Sequence, residues 1–152
     1  MSSPSPAPPA QPAPPSPPAR DDAGGTRRYR DGGGWQEQAG YSRAVRRGGV
    51  ITVSGTTATG PDGTALCPGD TLGQARICLQ RVLAAVAALG GRPGDVIRTV
   101  VYLAPGASWE GAAQAHREAL GDVAPANTML YVAGLIGEGF AVEVEATAVT
   151  QA

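Results

Sequence analysis

A segment that is apolar on both faces constrains the fold of this chain more than any other sequence feature. Residues 95–104 predict a β-strand, in which successive side chains point to opposite faces. Ile97, Val101 and Leu103 share one predicted face, and Val96, Val100 and Tyr102 share the other. The predicted element order, ββαβαββ, contains two helices, which can cover only one face of a single sheet. We therefore expect an α+β fold whose second sheet face is buried by another copy of the same chain.

Local patterns place the other elements. Apolar residues at helical spacing predict a first helix that opens with a capping box at residues 71–74 and ends at Gly90. The remaining predicted elements are strands at 41–47, Val50–Thr57, 127–133 and 140–150, and a helix at 108–120.

The first quarter of the chain differs in composition from the rest. Residues 1–19 hold nine of the fourteen prolines, and residues 20–37 contain only Tyr29 and Trp35 as large apolar groups. Such segments bury too little apolar surface to offset the entropy lost on ordering. We therefore assign residues 1–37 to a disordered Pro/Ala/Gly-rich tail that the fold does not need, and residues 38–152 to one domain.

Composition excludes several functional classes. All twelve basic residues are arginine, which rules out a lysine Schiff base, and the net charge of −1 comes without a basic stripe for nucleic acid. No apolar run approaches the roughly 20 residues that span a bilayer. Cys67 and Cys78 lack metal-binding spacing, and His116, the single histidine, lies on an apolar helical stripe typical of packing. We expect a cytoplasmic protein without cofactor, metal, nucleic-acid or membrane partner.

Six short motifs occur in one order between residues 40 and 150. They are YSRAV at 41–45, VSG at 53–55, Gly69-Asp70 with Gln74-Ala75, DVIRTVVYL at 95–103, PANT at 125–128 and VEVEA at 142–146. In this order and spacing they resemble the Rid superfamily, the YjgF-type proteins often labelled L-PSP endoribonucleases. The resemblance implies a chorismate-mutase-like (YjgF) α+β fold with a mixed sheet and two helices on one face. It also implies a homotrimer that binds a small molecule in the clefts between subunits.

The closing strand and two earlier motifs supply candidate site residues. Glu143 and Glu145 lie two apart on a predicted strand, so their side chains share one face, roughly 7 Å apart. The pattern alone fits a solvated face, whereas the resemblance implies that Glu143 faces the pocket and orients the water that attacks an imine carbon. Glu145 is interpreted as an ion-pair partner. The resemblance implies that Tyr41 borders the pocket as a second catalytic group, although packing at a sheet edge fits equally. It also implies that a ligand approaches the backbone at Ser54 and Gly55.

Asn127 stands where the imine-deaminating members carry the arginine that grips the substrate carboxylate. An uncharged amide in place of that clamp would weaken carboxylate binding by about 1.5–3 kcal/mol. Arg43 and Arg98 are alternative sources of the charge, and each also fits a surface residue. Met129 and Tyr131 share the predicted face of Asn127 and form either an apolar pocket wall or ordinary core.

Three functional hypotheses follow, and whether the chain is an enzyme stays open among them. The first is a Rid-like enzyme that adds water to, or moves a proton on, a reactive imine or enamine other than the usual 2-imino acid. The second is a non-catalytic trimer that binds a ligand or protects other proteins. The third is an endoribonuclease, which the absence of a basic groove and of a histidine pair disfavours.

Overall fold

One mixed β-sheet organises the chain. The computed structural model describes residues 20–21 and 24–151. The strands are β1 (Arg20–Asp21), β2 (Thr26–Tyr29), β3 (Ala44–Arg47), β4 (Val50–Thr57), β5 (Val96–Leu103), β6 (Ala126–Tyr131) and β7 (Val142–Val149). The helices are α1 (Gly34–Ala39), α2 (Thr71–Ala88) and α3 (Trp109–Leu120). The seven strands follow the order β1-β2-β3-β4-β7-β5-β6, with β5 and β6 parallel and the other neighbours antiparallel.

Helices α2 and α3 pack against each other on one face of the sheet. Helix α2 contacts β4 and β7 and buries its apolar stripe there, including Leu79, Val82 and Val86. The predicted α+β class and mixed sheet are confirmed, but α1 is a third helix that sequence patterns did not predict. It has only six residues and begins beside three consecutive glycines, so neither periodicity nor a strong cap marks it. None of the helices within the described residues is long and apolar enough to cross a membrane.

The start of α2 differs from the predicted capping box at residues 71–74. Asp70 is the N-cap, and its carboxylate accepts a hydrogen bond from the Gly73 amide at 2.9 Å. Gln74, the predicted return partner of the box, instead binds the loop before β7. Its amide group donates to the Gly139 carbonyl and accepts from the Ala141 amide, each at 2.8 Å. Gln74 therefore fixes the entry to β7 instead of closing the helix.

The face assignment predicted for β5 is wrong at its first residues. The register of β5 against β7 shifts between Val96 and Arg98, which marks a β-bulge. A bulge adds one residue and breaks the alternation of side chains. As a result Val96 belongs to the core, while Ile97 is 52% exposed. From Thr99 onward the alternation is regular: Val101 and Leu103 belong to the core, and Val100 and Tyr102 lie on the other face.

The ordered elements begin before residue 38, the predicted start of the domain. Strand β2 pairs with β3 in antiparallel register, and Tyr29 is 4% exposed within the core. Thr26–Tyr29 and α1 therefore belong to the folded unit, because Tyr29 supplies the large apolar side chain that anchors them. Residues 1–19 of the predicted tail at 1–37 lie outside the described residues, as do residues 22 and 23.

The sheet face opposite α2 and α3, here called the open face, is not covered by a helix among the described residues. Several apolar side chains on it are accessible in the single chain. They include Val50 at 46%, Val149 at 42% and Leu130 at 39% exposure.

Candidate functional site

A bulge in β4 shapes the candidate site. The pairing of β4 with β7 shifts between Val53 and Thr56, so that Ser54 and Gly55 fall inside the irregular step. Gly55 lies directly against Glu143, and a Cβ atom at residue 55 would overlap the Glu143 carboxyl group. Glycine is therefore the residue that permits this approach.

Arg43 holds the bulge in place. Its Nη1 lies 2.8 Å from the Gly55 carbonyl oxygen, 3.0 Å from Thr56 Oγ1 and 3.2 Å from Ser54 Oγ. Its Nε donates to the Asp31 carboxylate at 2.8 Å. The sequence allowed Arg43 to be either a source of positive charge for the ligand or a surface residue. Its side chain is only 14% exposed, so it is not a surface residue.

Asp31 connects the N-terminal segment to this bulge. Besides Arg43, it accepts hydrogen bonds from the Gln36 side chain and the Gly33 amide. Burial acts to raise the pKa of Asp31, but the hydrogen bonds and charge of Arg43, with those from Gln36 and Gly33, hold the pKa below its ordinary value. The loop before α1 thus supports the geometry of β4.

Glu143 is a half-buried carboxylate on the open face. Desolvation raises its pKa above the ordinary value of 4.5, the charge of Arg43 opposes that rise, and the charge of Glu145 adds to it. No group among the described residues donates a hydrogen bond to it. An incompletely solvated carboxylate without a fixed donor is a stronger base than an exposed one.

A cleft of about 320 Å³ lies in front of Glu143 and is here called the acidic cleft. Tyr102 was missed as a site residue, although the pairing of β5 with β7 places it opposite Glu143. Its pKa is raised by desolvation and by the neighbouring Glu145. The alternation of side chains in β5 predicted the face on which Tyr102 lies, but it could not predict that Tyr102 pairs with Glu143. The lining residues include Gly55, Tyr102, Gly134, Leu135, Glu143 and Glu145.

A second cleft, of about 400 Å³, adjoins the first on the open face and is here called the arginine cleft. Ser54 lines the arginine cleft and Gly55 lines the acidic cleft, so the bulge separates the two. Tyr41 lies in the arginine cleft, and within one chain it does not share a cleft with Glu143. The lining residues include Arg28, Arg30, Tyr41, Ser42, Val45 and Ser54.

Asn127 lies on the helix side of the sheet, opposite to Glu143. Its Nδ2 donates to Thr99 Oγ1 at 3.0 Å, and Thr99 Oγ1 lies 2.8 Å from His116 Nε2. Register pairs Met129 with Val101, so Met129 shares the face of Asn127, as Tyr131 does two residues later. Within one chain the structure therefore does not bring these predicted binding residues together with Glu143.

Three other polar groups considered in the sequence analysis, Cys78, His116 and Glu145, do not have the properties of a reactive group. Burial raises the pKa of the Cys78 thiol to about 12, so it is not a nucleophile near neutral pH. Burial lowers the pKa of His116, in keeping with its predicted packing role. Arg98 forms an exposed ion pair with Glu145 at 3.7 Å, which is the role predicted for Glu145.

Comparison with known proteins agrees with this architecture. The family model described as Endoribonuclease L-PSP matches residues 35–150. The uncharacterized protein SCO2049 of Streptomyces coelicolor is 35% identical over 122 residues, which cover 80% of this chain and 90% of the relative.

Solved structures show the same fold. Rv2704 from Mycobacterium tuberculosis, described as a member of the YjgF/YER057c/UK114 family, is 33% identical with a TM-score of 0.74, over 82% of this chain and 99% of that one. Escherichia coli TdcF with bound serine is 27% identical with a TM-score of 0.65, over 73% and 88% of the two chains. The chain therefore belongs to the endoribonuclease L-PSP family, the family of the YjgF and Rid proteins.

Proposed function

We propose that this protein binds a small polar metabolite in the acidic cleft and hydrolyses its imine or enamine group, with Glu143 as general base. Family membership indicates a small-molecule-binding or Rid-type function. The observation that carries the proposal is the state of Glu143. It is half-buried, has a raised pKa and lies against Gly55, whose missing side chain makes room for the Glu143 carboxyl group.

The proposed reaction is a hydrolysis without a redox step. Glu143 takes a proton from a water molecule as the water oxygen bonds to the imine carbon, and that proton passes to the imine nitrogen. In the resulting carbinolamine the hydroxyl proton moves to the nitrogen, the C–N bond breaks, and ammonia leaves a carbonyl group. Positioned general-base catalysis of this kind contributes roughly 10²–10⁴-fold to a rate. The role proposed for Tyr102, which pairs with Glu143 across the strands, is to hydrogen-bond the reacting polar group, and Arg43 limits how far the Glu143 pKa rises.

We further propose that the working form is a homotrimer with shared clefts. Val50, Val149 and Leu130 expose apolar surface on the open face, and a second copy would bury it. Asn127 lies on β6, one of the two edge strands of the described sheet. The Asn127 side chain of one copy could therefore reach the acidic cleft of a neighbouring copy, although it faces away from the acidic cleft of its own chain. Light scattering would give the mass, and a charge at Leu130 (Leu130→Asp) should dissociate the oligomer. A monomeric mass for the parent protein would reject this arrangement.

The direct test is ammonia release from imines. An amino-acid oxidase generates a panel of imines in place, and release is compared with and without the protein. Glu143→Gln is the matched variant, because the amide keeps the shape of the side chain but cannot accept the proton. Acceleration by the parent and not by Glu143→Gln supports hydrolysis. No acceleration of any imine rejects it.

A non-catalytic binding function is the second candidate. E. coli TdcF is described with bound serine, a stable amino acid, and a carboxylate such as Glu143 can recognise an ammonium group without reacting. A thermal-shift screen with amino acids separates the two functions: stabilisation by a ligand that is recovered unchanged favours binding alone. The endoribonuclease activity in the family description is tested by incubating RNA with the protein in EDTA, where Glu143-dependent cleavage would promote that function.

A further inference from the structure

A single buried hydroxyl group joins Asn127 to His116, and the three residues are here called the relay. Asn127 Nδ2 donates to Thr99 Oγ1 at 3.0 Å, and His116 Nε2 lies 2.8 Å from the same oxygen. Thr99 is fully buried, and its hydroxyl group has no third hydrogen-bond partner among the described residues. Asn127 itself is exposed on the edge strand β6. We propose that Thr99 and His116 determine which end of the Asn127 side-chain amide faces a ligand.

The neutral form of His116 turns the oxygen of Asn127 outward. A hydroxyl group has one proton to donate, and a neutral imidazole has one nitrogen that accepts. When His116 carries its proton on Nδ1, Thr99 donates to His116 Nε2 and accepts from Asn127 Nδ2. Nδ2 is then directed toward Thr99 and Oδ1 away from it. The outward-facing end of Asn127 is therefore a hydrogen-bond acceptor.

Protonation of His116 reverses this order. An imidazolium carries N–H groups on both nitrogens, so Nε2 becomes a donor to Thr99 Oγ1 and no longer accepts the Thr99 proton. A buried hydroxyl group that loses its acceptor destabilises the folded state. A half-turn of the Asn127 amide supplies Oδ1 as the new acceptor and moves Nδ2 outward. The outward-facing end of Asn127 is then a hydrogen-bond donor.

The protonation of His116 is set by burial, which is the only cause of its lowered pKa. The charged side chains on and directly after the elements around the ring are exposed or already hydrogen-bonded. They are Arg76, Arg81, Arg98, Glu110, Arg117, Glu118 and Asp122. The Cys78 thiol and the Tyr131 hydroxyl donate to backbone carbonyl groups, and Tyr102 lies on the open face. His116 is therefore neutral at pH 7 and gains its proton below its ordinary pKa of 6.5.

The two orientations of Asn127 suit different ligands. This step rests on the proposed function and its shared clefts, in which Asn127 of one copy faces Glu143 of a neighbour. At neutral pH the two residues present a carbonyl oxygen and a carboxylate, which suit an ammonium group. With His116 protonated, the outward amide N–H groups suit a carboxylate instead. The substrate class at neutral pH is thus an imine that also bears an amino group, in place of a 2-imino acid.

Nuclear magnetic resonance of the full-length protein tests the relay without turnover. His116 is the single histidine and Asn127 the single asparagine, so nitrogen-15 labelling of these residue types gives one imidazole ring and one side-chain amide. At neutral pH the ring should carry its proton on Nδ1. On acidification the Asn127 amide signals should shift with the same midpoint as the His116 ring. A neutral ring protonated on Nε2, or an Asn127 amide that does not follow His116, would overturn the proposal.

Thr99→Val shows whether the hydroxyl group carries this coupling, because valine keeps the branched shape of threonine and removes the oxygen. The coupling should disappear in Thr99→Val and return in Thr99→Ser. Thr128→Val is the matched control, since Thr128 is exposed on β6 beside Asn127 but lies outside the relay. Coupling that persists in Thr99→Val would overturn the role of Thr99. If Thr99→Val does not fold, His116→Gln replaces it and should make the Asn127 signals independent of pH.

Calorimetric binding of butylammonium and butyrate tests the effect on ligands. Glu143 also gains a proton in acid, so the parent is compared with His116→Gln, which keeps Glu143. On acidification the preference for butylammonium over butyrate should fall about fivefold more in the parent, as the exchange of one hydrogen bond predicts. An equal fall in both proteins would mean that the relay does not control the ligand.

Imine hydrolysis separates failure of the relay from failure of the proposed reaction. Hydrolysis without coupling between Asn127 and His116 would keep the reaction and reject the relay. Coupling with the expected change in ligand preference, but without hydrolysis of any imine, would reject the reaction and keep the relay.

Discussion

Gly55 lies directly against the carboxyl group of Glu143, so that a single added methyl group at residue 55 would occupy the space of a carboxyl oxygen. The two residues come from paired strands, and the bulge of β4 brings the Gly55 backbone toward β7. Arg43 fixes that bulge through the Gly55 carbonyl at 2.8 Å. The position of the candidate base thus depends on a glycine and on an arginine that is itself anchored to Asp31.

Replacing Gly55 by alanine should impair function much more than stability. The clash falls mainly on the mobile end of the Glu143 side chain, which can rotate away at a cost of about 1 kcal/mol. For a domain of this size such a cost lowers the melting temperature by about 5 °C. The displaced base should reduce imine hydrolysis roughly 100-fold.

Gly134→Ala is the control for Gly55→Ala. Gly134 lines the same acidic cleft, and a Cβ atom there would meet nothing within 4 Å. It should leave both melting temperature and hydrolysis close to those of the parent. If the two alanine variants behave alike, the contact between Gly55 and Glu143 is not what positions the base.

Glu143→Gln should raise the melting temperature at pH 7. Because folding raises the pKa of Glu143, its ionised form weakens the folded state. The contribution of this carboxyl group to stability is fully present below its ordinary pKa of 4.5 and is lost as the pH rises through the folded-state value. The gain from glutamine should therefore be largest at neutral pH and shrink toward pH 4.5. Thermal unfolding of parent and variant across this range measures it.

Glu145→Gln provides the comparison for that pH series. Glu145 lies two residues away on the same face but forms an exposed ion pair with Arg98. Exposed pairs of this kind contribute about 0–1 kcal/mol, so this variant should be neutral or slightly less stable at pH 7. A stability gain as large as that of Glu143→Gln would point to general charge repulsion in place of desolvation of one carboxylate.

The elements that depend on local sequence pattern were predicted from the sequence. The β-bulges, which depend on pairing with a distant strand, were not. Val50–Thr57 was predicted with its observed bounds because its alternation and the preceding Gly48-Gly49 turn are local signals. The bulges at Ser54–Gly55 and at Val96–Arg98 arise from pairing with β7, which lies far along the chain. Local periodicity does not encode such pairing.

The candidate site shows the same division. Glu143 could be named from its strand pattern and the family resemblance, and the shared face of Glu143 and Glu145 follows from alternation alone. The arginine cleft could not be predicted from the sequence, because it forms only when β2 pairs with β3 and Arg28 comes to lie beside Val45. The opposite facing of Asn127 and Glu143 likewise follows from the pairing of β6 with β5.

The segment before residue 38 should be needed for stability, contrary to the sequence expectation. Tyr29→Ala should cost about 3 kcal/mol or more, as removal of a buried aromatic side chain does. Deleting residues 1–34 should be at least as damaging, since it also removes the Asp31 contacts with Arg43. Deleting residues 1–19 is the control, because it keeps Tyr29, Asp31 and Arg43 in the chain. Denaturant unfolding of the three variants decides the matter, and an unchanged midpoint for Tyr29→Ala would contradict it.

Asn127→Arg should let the protein hydrolyse short 2-imino acids. If a neighbouring copy presents residue 127 to the acidic cleft, the new guanidinium would hold an α-carboxylate close to Glu143. A charged hydrogen-bonding contact of about 1.5–3 kcal/mol corresponds to a gain of roughly 10- to 150-fold. Ammonia release from 2-iminobutyrate, with the parent as reference, measures the gain.

Two further variants decide whether the gain in Asn127→Arg has this origin. Adding Glu143→Gln should abolish it, because the glutamine cannot accept a proton from water. Asn127→Gln loses the short side chain that donates to Thr99 at 3.0 Å but adds no charge, so it should show no gain. A comparable gain in Asn127→Gln would mean that freeing Thr99 and His116 matters, and not the guanidinium. A trimeric Asn127→Arg protein without any gain would mean that residue 127 does not reach the acidic cleft of a neighbouring copy, and non-catalytic binding would become the leading function.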